Sequence, residues 1–169
     1  AIALASTLTA NGYPAVYTER NGNNHLRSML QEHPAVKEQN GICYYKYFRG
    51  IPDYGQGIEP PDSGDAIYVK DFGVYQKDII ELGPENFNLF ILSGSPWDLA
   101  QTISTGLELS RLGNTAFICN YNNQSSAKKL AGKLGCKVYC FPFDGDAFTC
   151  TETKTDLFFH VLSFERGKK

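Results

Sequence analysis

Apolar positions recur at helical spacing at the head of the chain. Ala1, Leu4, Ala5 and Leu8 share one helix face, and Asn11-Gly12 offers a left-handed stop. Ala15 to Thr18 then reads as a strand. A helix with no capping residue before position 1 raises the expectation that the natural protein continues upstream. Asn24 to Glu32 sets Leu26, Met29 and Leu30 on one face and predicts a short helix ending at His33-Pro34. GICYYKYF, residues 41–48, has strand composition: Ile42, Tyr44 and Phe48 can face inward, while Lys46 interrupts the alternation. Residues 51–65, IPDYGQGIEPPDSGD, are thick with Pro, Gly and Asp and predict an irregular loop, of a length usually reserved for function or disorder.

From residue 66 the rhythm becomes regular. Ala66 to Val69 reads as a strand, followed by a weak helix over 74–82 that Gly83-Pro84 stops. Phe87 to Leu92 is a continuous apolar run of the buried, parallel-sheet type. Ser95-Pro96-Trp97-Asp98 predicts a helix start, with Ser95 as cap and Pro96 in the first helical position. That helix carries Leu99, Ile103, Leu107 and Leu109 and runs to about Leu112-Gly113. Thr115 to Cys119 is the next strand, Ser125 to Leu134 the next helix with Gly135 as its stop, and Lys137 to Phe141 a further strand. Lys154 to Phe164 predicts a final helix with Leu157, Phe158, Val161 and Leu162 inward.

Strands alternating with helices through short connections predict parallel βαβ units. The expected architecture is a single α/β domain over residues 1–169. It would hold a three-layer, mainly parallel doubly wound sheet with helices on both faces. Ligands of such folds lie beyond the carboxyl ends of the strands. The candidate positions are therefore Glu19-Arg20-Asn21, Asp71-Phe72-Gly73, Ser93-Gly94-Ser95, Asn120-Tyr121-Asn122 and Phe143-Asp144-Gly145-Asp146.

Composition narrows the function classes. The 42% hydrophobic and 20% charged fractions are those of an ordinary globular domain. A formal net charge of −2 gives no basis for a nucleic-acid or membrane-surface partner, and Arg166-Gly167-Lys168-Lys169 reads as a solvated end. No apolar run approaches the ~20 residues that span a bilayer, and the start lacks the pattern of a signal peptide. The cysteines, Cys43, Cys119, Cys136, Cys140 and Cys150, are odd in number, and Cys119 and Cys140 fall inside apolar strand patterns. That usage points to thiols in a reducing compartment, hence to a cytoplasmic protein. A zinc site fails on spacing, because there is no Cys-x-x-Cys and His25, His33 and His160 are scattered.

Four motifs carry candidate chemistry. In AIYVKDFG, residues 66–73, a strand runs into Asp71, a carboxylate suited to holding hydrated Mg²⁺ beside phosphates or, more simply, to capping the following turn. Gly73 lets a loop approach a phosphate closely. In FILSGSPWDLAQTI, residues 90–103, Ser93-Gly94-Ser95 stands at a helix N-terminus, either an anion site or an ordinary capped helix with Trp97 packed on the sheet. In AFICNYNN, residues 116–123, Asn120 is placed to read a nucleobase edge or to shape a turn. In VYCFPFDGDAF, residues 138–148, Pro142 suits a base-pocket loop or any strand exit. Glu19 at its strand end is open as a general base, as a support for a metal's ligands, or as neither. His25 and His160 read as surface or packing residues.

Taken in order, these pieces resemble the MinD/ParA group of P-loop NTPases, the deviant-Walker, SIMIBI-type family of septum-site, partition and pilus-localisation ATPases. AIALASTLTANGYPAVYTERNG looks like the helix after the P-loop running into the second strand. Glu19-Arg20-Asn21 stands where the family usually has an Asp-x-Asp type motif. AIYVKDFG resembles the Walker B strand, which places Asp71 on the magnesium side, through water, and Gly73 near the γ-phosphate. FNLFILSGSPWDLAQTI resembles the strand and helix that follow. Asn120 matches the base-contacting asparagine, and Pro142 and Asp144 match the "Ile-Pro-x-Asp" exit of the last core strand.

The resemblance implies ATP and Mg²⁺ as cofactors where a P-loop is present upstream, and a homodimer or protein partner. The chain departs from the family in one respect above all. No Gly-x-x-x-x-Gly-Lys-Ser/Thr occurs in these 169 residues, nor any Gly-x-Gly-x-x-Gly. Without those N–H groups and that lysine, this polypeptide is expected not to hydrolyse ATP, and no catalytic residue is assigned. The family's first strand is central in its sheet, so its loss is expected to leave neighbouring strands unpaired, unless a segment such as GICYYKYF fills the place. Two further readings stay open: a degenerate pseudo-ATPase that serves protein–protein contacts, and a flavodoxin- or receiver-like binding domain. The strand order around Asp71 discriminates the last.

Overall fold

The computed structural model describes residues 1–52, 65–76, 86–120, 124–141 and 145–163. The chain is α/β and divides into two compact units, residues 1–80 with 146–155 and residues 81–145 with 156–169. Residues 53–64 of the loop expected over 51–65, the greater part of the helix expected over 74–82, the basic tail, and Pro142 and Asp144 lie outside the described residues, while Ile51 ends a strand.

The first unit opens with α1 (Ile2–Ala10), in which Leu4, Ala5, Ser6, Thr7 and Leu8 are all buried. Five consecutive buried residues mean a helix covered on every side, which suits its small and apolar sequence. The left-handed residue after it is Gly12, at φ +88°, while Asn11 stays at φ −97°. The Asn11 side-chain amide donates instead to the Thr7 carbonyl at 2.8 Å and to Thr155 Oγ1 at 3.2 Å. There follow β1 (Ala15–Glu19), α2 (His25–Glu32), β2 (Lys37–Gln39), β3 (Ile42–Tyr45), β4 (Phe48–Ile51) and β5 (Ile67–Asp71).

These strands form one mixed sheet in the order β2-β3-β4-β1-β5. β1 runs parallel to β4 and β5, whereas β2, β3 and β4 form an antiparallel meander. GICYYKYF is therefore a hairpin and not one strand. Tyr45 pairs with Phe48 across Lys46-Tyr47, and Lys46 takes φ +51°, the left-handed geometry a two-residue turn demands. The interrupted alternation at Lys46 was the trace of that turn. The hairpin joins through β4, on the opposite side of β1 from β5, so it leaves the outer edge of β5 without a described strand.

One face of the sheet buries Val16, Ile42 and Ile51 with Tyr68 against them. On the other face α2 lays Leu26 over Gly50, where an added Cβ would stand 2.8 Å from Leu26 Cδ1 and from the Phe48 ring. Only glycine admits so close an approach. The 146–155 segment is tied on by charge. Lys46 Nζ lies 2.8 Å from Asp146 Oδ2, and this contact, with hydrogen bonds from Thr149 and from the Phe148 N–H, holds the Asp146 carboxyl well below the usual range. Buried Lys154 donates to the carbonyls of Asp146 and Thr149 at 2.8 and 2.6 Å.

The second unit holds β6 (Asn88–Leu92), α3 (Leu99–Leu109), β7 (Thr115–Cys119), α4 (Gln124–Leu134) and β8 (Val138–Cys140). The later part of α5 (Glu152–Leu162) also belongs to it. Its sheet is all parallel, in the order β6-β7-β8. Phe90 stacks on Phe117, and Phe158 of α5 meets Phe141.

The α/β class and the parallel units agree with expectation. The single doubly wound sheet does not: β5 pairs only with β1 and β6 only with β7, so the described strands make two sheets. The same fact corrects the reading of β6 as a buried strand. As an end strand it buries only Leu92 and leaves Ile91 55% exposed.

Candidate functional site

The first unit gathers three sequence-predicted residues at the carboxyl ends of β1 and β5, where parallel pairing sets Glu19 directly opposite Asp71. Alternation along β1 puts Tyr17 on the same face as Glu19. The Tyr17 hydroxyl donates to Asp71 Oδ2 at 3.1 Å, while the Gly73 N–H donates to Asp71 Oδ1 at 2.9 Å. Both oxygens are thus oriented, and each keeps a lone pair for another donor or a hydrated cation. Gly73 sits at φ +70°, and a Cβ there would lie 2.7 Å from Asn21 Cβ, so the turn after β5 and the turn after β1 touch at a glycine.

Tyr17 was not legible as a site residue. It is 1% exposed, its ring lies 5.6 Å from that of Phe48, and burial together with the Asp71 and Glu19 charges pushes its hydroxyl pKa far up. The signal was present in period two, since the residue two before a strand-end carboxylate shares its face.

Glu19 has a defined structural task. Its Oε1 accepts from the His25 N–H at 2.9 Å and its Oε2 from the Leu26 N–H at 3.1 Å, with His25 Nδ1 3.5 Å away. A buried carboxylate thereby satisfies two of the N–H groups that the start of α2 leaves open, and its charge suits the positive end of that helix. Arg20 continues the ladder, donating its N–H to the Asp71 carbonyl at 2.8 Å, and its guanidinium lies 6.0 Å from the Phe72 ring centroid.

In the second unit, Asn120 follows β7 at half burial, its N–H 3.4 Å from the Leu92 carbonyl. The segment 93–98 departs from expectation. Asp98, not Ser95, precedes α3, and Ser95 accepts the Asp98 N–H in a turn. Ser93 binds the Asp98 carboxylate through its hydroxyl at 2.8 Å and accepts the Ser95 N–H at 3.2 Å. Trp97 is 83% exposed and does not pack on the sheet.

Among the described residues no group of three or more His, Cys, Asp or Glu is arranged to hold a metal ion, and no helix is long and apolar enough to cross a membrane. A hard cation at Asp71 would therefore take one protein carboxylate and complete its shell from water and ligand oxygens, as Mg²⁺ commonly does. Neither a protein-family model nor a curated protein matches this chain.

Proposed function

We propose that this chain is the body of a MinD/ParA-like nucleotide switch, in which Asp71 faces the magnesium of a bound nucleotide. The observation that carries the reading is an Asp71 carboxylate held by the Tyr17 hydroxyl and the Gly73 N–H at the end of a parallel strand. A fixed carboxylate with a close-approaching glycine beside it suits the hydrated cation of a bound phosphate. Among the described strands β5 pairs with β1 alone. A flavodoxin-like order 2-1-3-4-5 would instead pair the Asp71 strand on both sides.

The resemblance assigns base contacts to Asn120, Pro142 and Asp144, and implies ATP and Mg²⁺ as cofactors where a P-loop stands upstream. The polypeptide of these 169 residues, lacking the glycine-rich loop and its lysine, does not turn over ATP. Nucleotide occupancy, by changing the strand-end surface, sets association with a second copy or a protein partner.

One observation favours a second reading, a degenerate interaction module. Both Glu19 oxygens are committed to α2, so the strand end that carries acidic chemistry in the family carries a structural anchor here. Equilibrium binding of ATP with and without Mg²⁺, measured on the complete natural polypeptide, separates the two. The switch binds in a magnesium-dependent way, and the interaction module does not.

A further inference from the structure

Cys119 and Cys140 both lie in apolar strand patterns, and the structure places them opposite each other. In the parallel pairing of β7 with β8, Cys119 is the register partner of Cys140. Register partners on adjacent parallel strands project to the same face, with backbones ~4.8 Å apart, inside the Cα separation a disulfide accepts. Both are thiols in this structure, and the charge of one is felt by the other.

Their exposure differs in a useful way. Cys119 is fully buried, and a Cβ on Gly94 would stand 3.1 Å from its Sγ and 3.2 Å from Ser126 Cβ, so the β6–α3 loop and α4 wall it in. Cys140 is half-buried.

We propose that Cys119 and Cys140 form a cross-strand dithiol that closes reversibly to a disulfide under peroxide. The Cys140 thiolate attacks one oxygen of hydrogen peroxide, breaking the O–O bond to give a sulfenic acid and one water after proton transfer. The Cys119 sulfur then attacks the sulfenic sulfur, forming the S–S bond and releasing the sulfenic oxygen as a second water. Two thiols are oxidised by two electrons and one peroxide is reduced to two waters. Burial raises the Cys119 pKa and keeps it a thiol toward solvent peroxide, so the first oxidation falls on Cys140. Side chains standing parallel on adjacent strands must be drawn together to bond, so this disulfide is strained and easily reduced. It would stiffen the strand end that carries Asn120 and Phe141, whose N–H already donates to the Cys119 carbonyl at 2.9 Å. The inference is independent of the nucleotide reading.

The test is peptide mapping of the folded wild-type protein after mild hydrogen peroxide, with thiols alkylated before digestion. The expected result is a Cys119–Cys140 linked peptide, a mass loss of about 2 Da for the two hydrogens, and full reversal by dithiothreitol. C136S retains the link, and C119S leaves Cys140 as a sulfenic acid that a dimedone probe captures. Alkylated Cys119 and Cys140 in the oxidised sample, or linkage of Cys140 to Cys136 instead, overturns the proposal. Because the wild-type map decides by itself, a variant that fails to fold does not spare it.

Discussion

Tyr17 donates its hydroxyl to Asp71 Oδ2 at 3.1 Å from one strand over, so the candidate carboxylate is held by a residue of the core. Tyr17→Phe keeps the ring against Phe48 and removes only this bond. A hydrogen bond to a carboxylate is worth about 1.5–3 kcal/mol, and the urea midpoint should fall accordingly at pH 7. The difference should shrink in alkali. The folded-state pKa of Tyr17 is raised above its ordinary 10.0, so its contribution is complete below that value. It is lost as pH rises further, because the unfolded chain releases the proton that the folded one keeps. Equal midpoints at pH 7, or a gap that widens above pH 10, would contradict this.

Glu19→Gln tests whether the strand-end acid is an anchor. An amide presents one acceptor where the carboxylate presents two, and its NH₂ would face the N–H of His25 or Leu26. A loss of about 1–3 kcal/mol is expected. Faster hydrogen exchange at the Leu26 amide than elsewhere in the first unit is the specific readout. Unchanged protection there would show that α2 starts without Glu19.

Gly73→Ala meets two obstacles that can be separated. A left-handed backbone costs an alanine about 1 kcal/mol, and the contact with Asn21 Cβ adds to it. The total expected is about 2–3 kcal/mol in denaturant unfolding. In an Asn21→Gly background the clash is gone and only the first part should remain. An identical cost in both backgrounds would exclude the contact as its source.

Thr18→Val should stabilise the protein. The Thr18 hydroxyl is buried and has no hydrogen-bond partner among the described residues, so its replacement by a methyl group removes a desolvation cost of about 1–3 kcal/mol. Valine keeps the β-branched shape within β1. A rise in Tm is expected, and a fall would mean that the hydroxyl is satisfied in solution.

Much of the fold was legible because period and stop residues are local. β7 matches its expected span, and α4 ends before Gly135 at φ +66° as its sequence foretells. The hairpin at Lys46 was missed because a left-handed lysine leaves only a broken alternation behind it. The helix start at Ser95 was misplaced because Ser93 captures the Asp98 carboxylate and folds 95–98 into a turn, a competition that propensity does not weigh. Strand pairing was the least legible level. Nothing in the composition of β5 or β6 tells that each stands last among the described strands of its sheet, since pairing is a long-range choice. At the site, Asp71 and Gly73 were visible as a strand end, but Tyr17 and the engagement of Glu19 with α2 appear only once residues distant in sequence meet.

The most direct test of the account is a calorimetric titration of ATP and Mg²⁺ into the complete natural polypeptide, wild type against Asp71→Asn. The account predicts binding that requires magnesium and that the substitution weakens at least tenfold, about 1.4 kcal/mol. Binding that is indifferent to magnesium and to Asp71, or no binding at all, would contradict it.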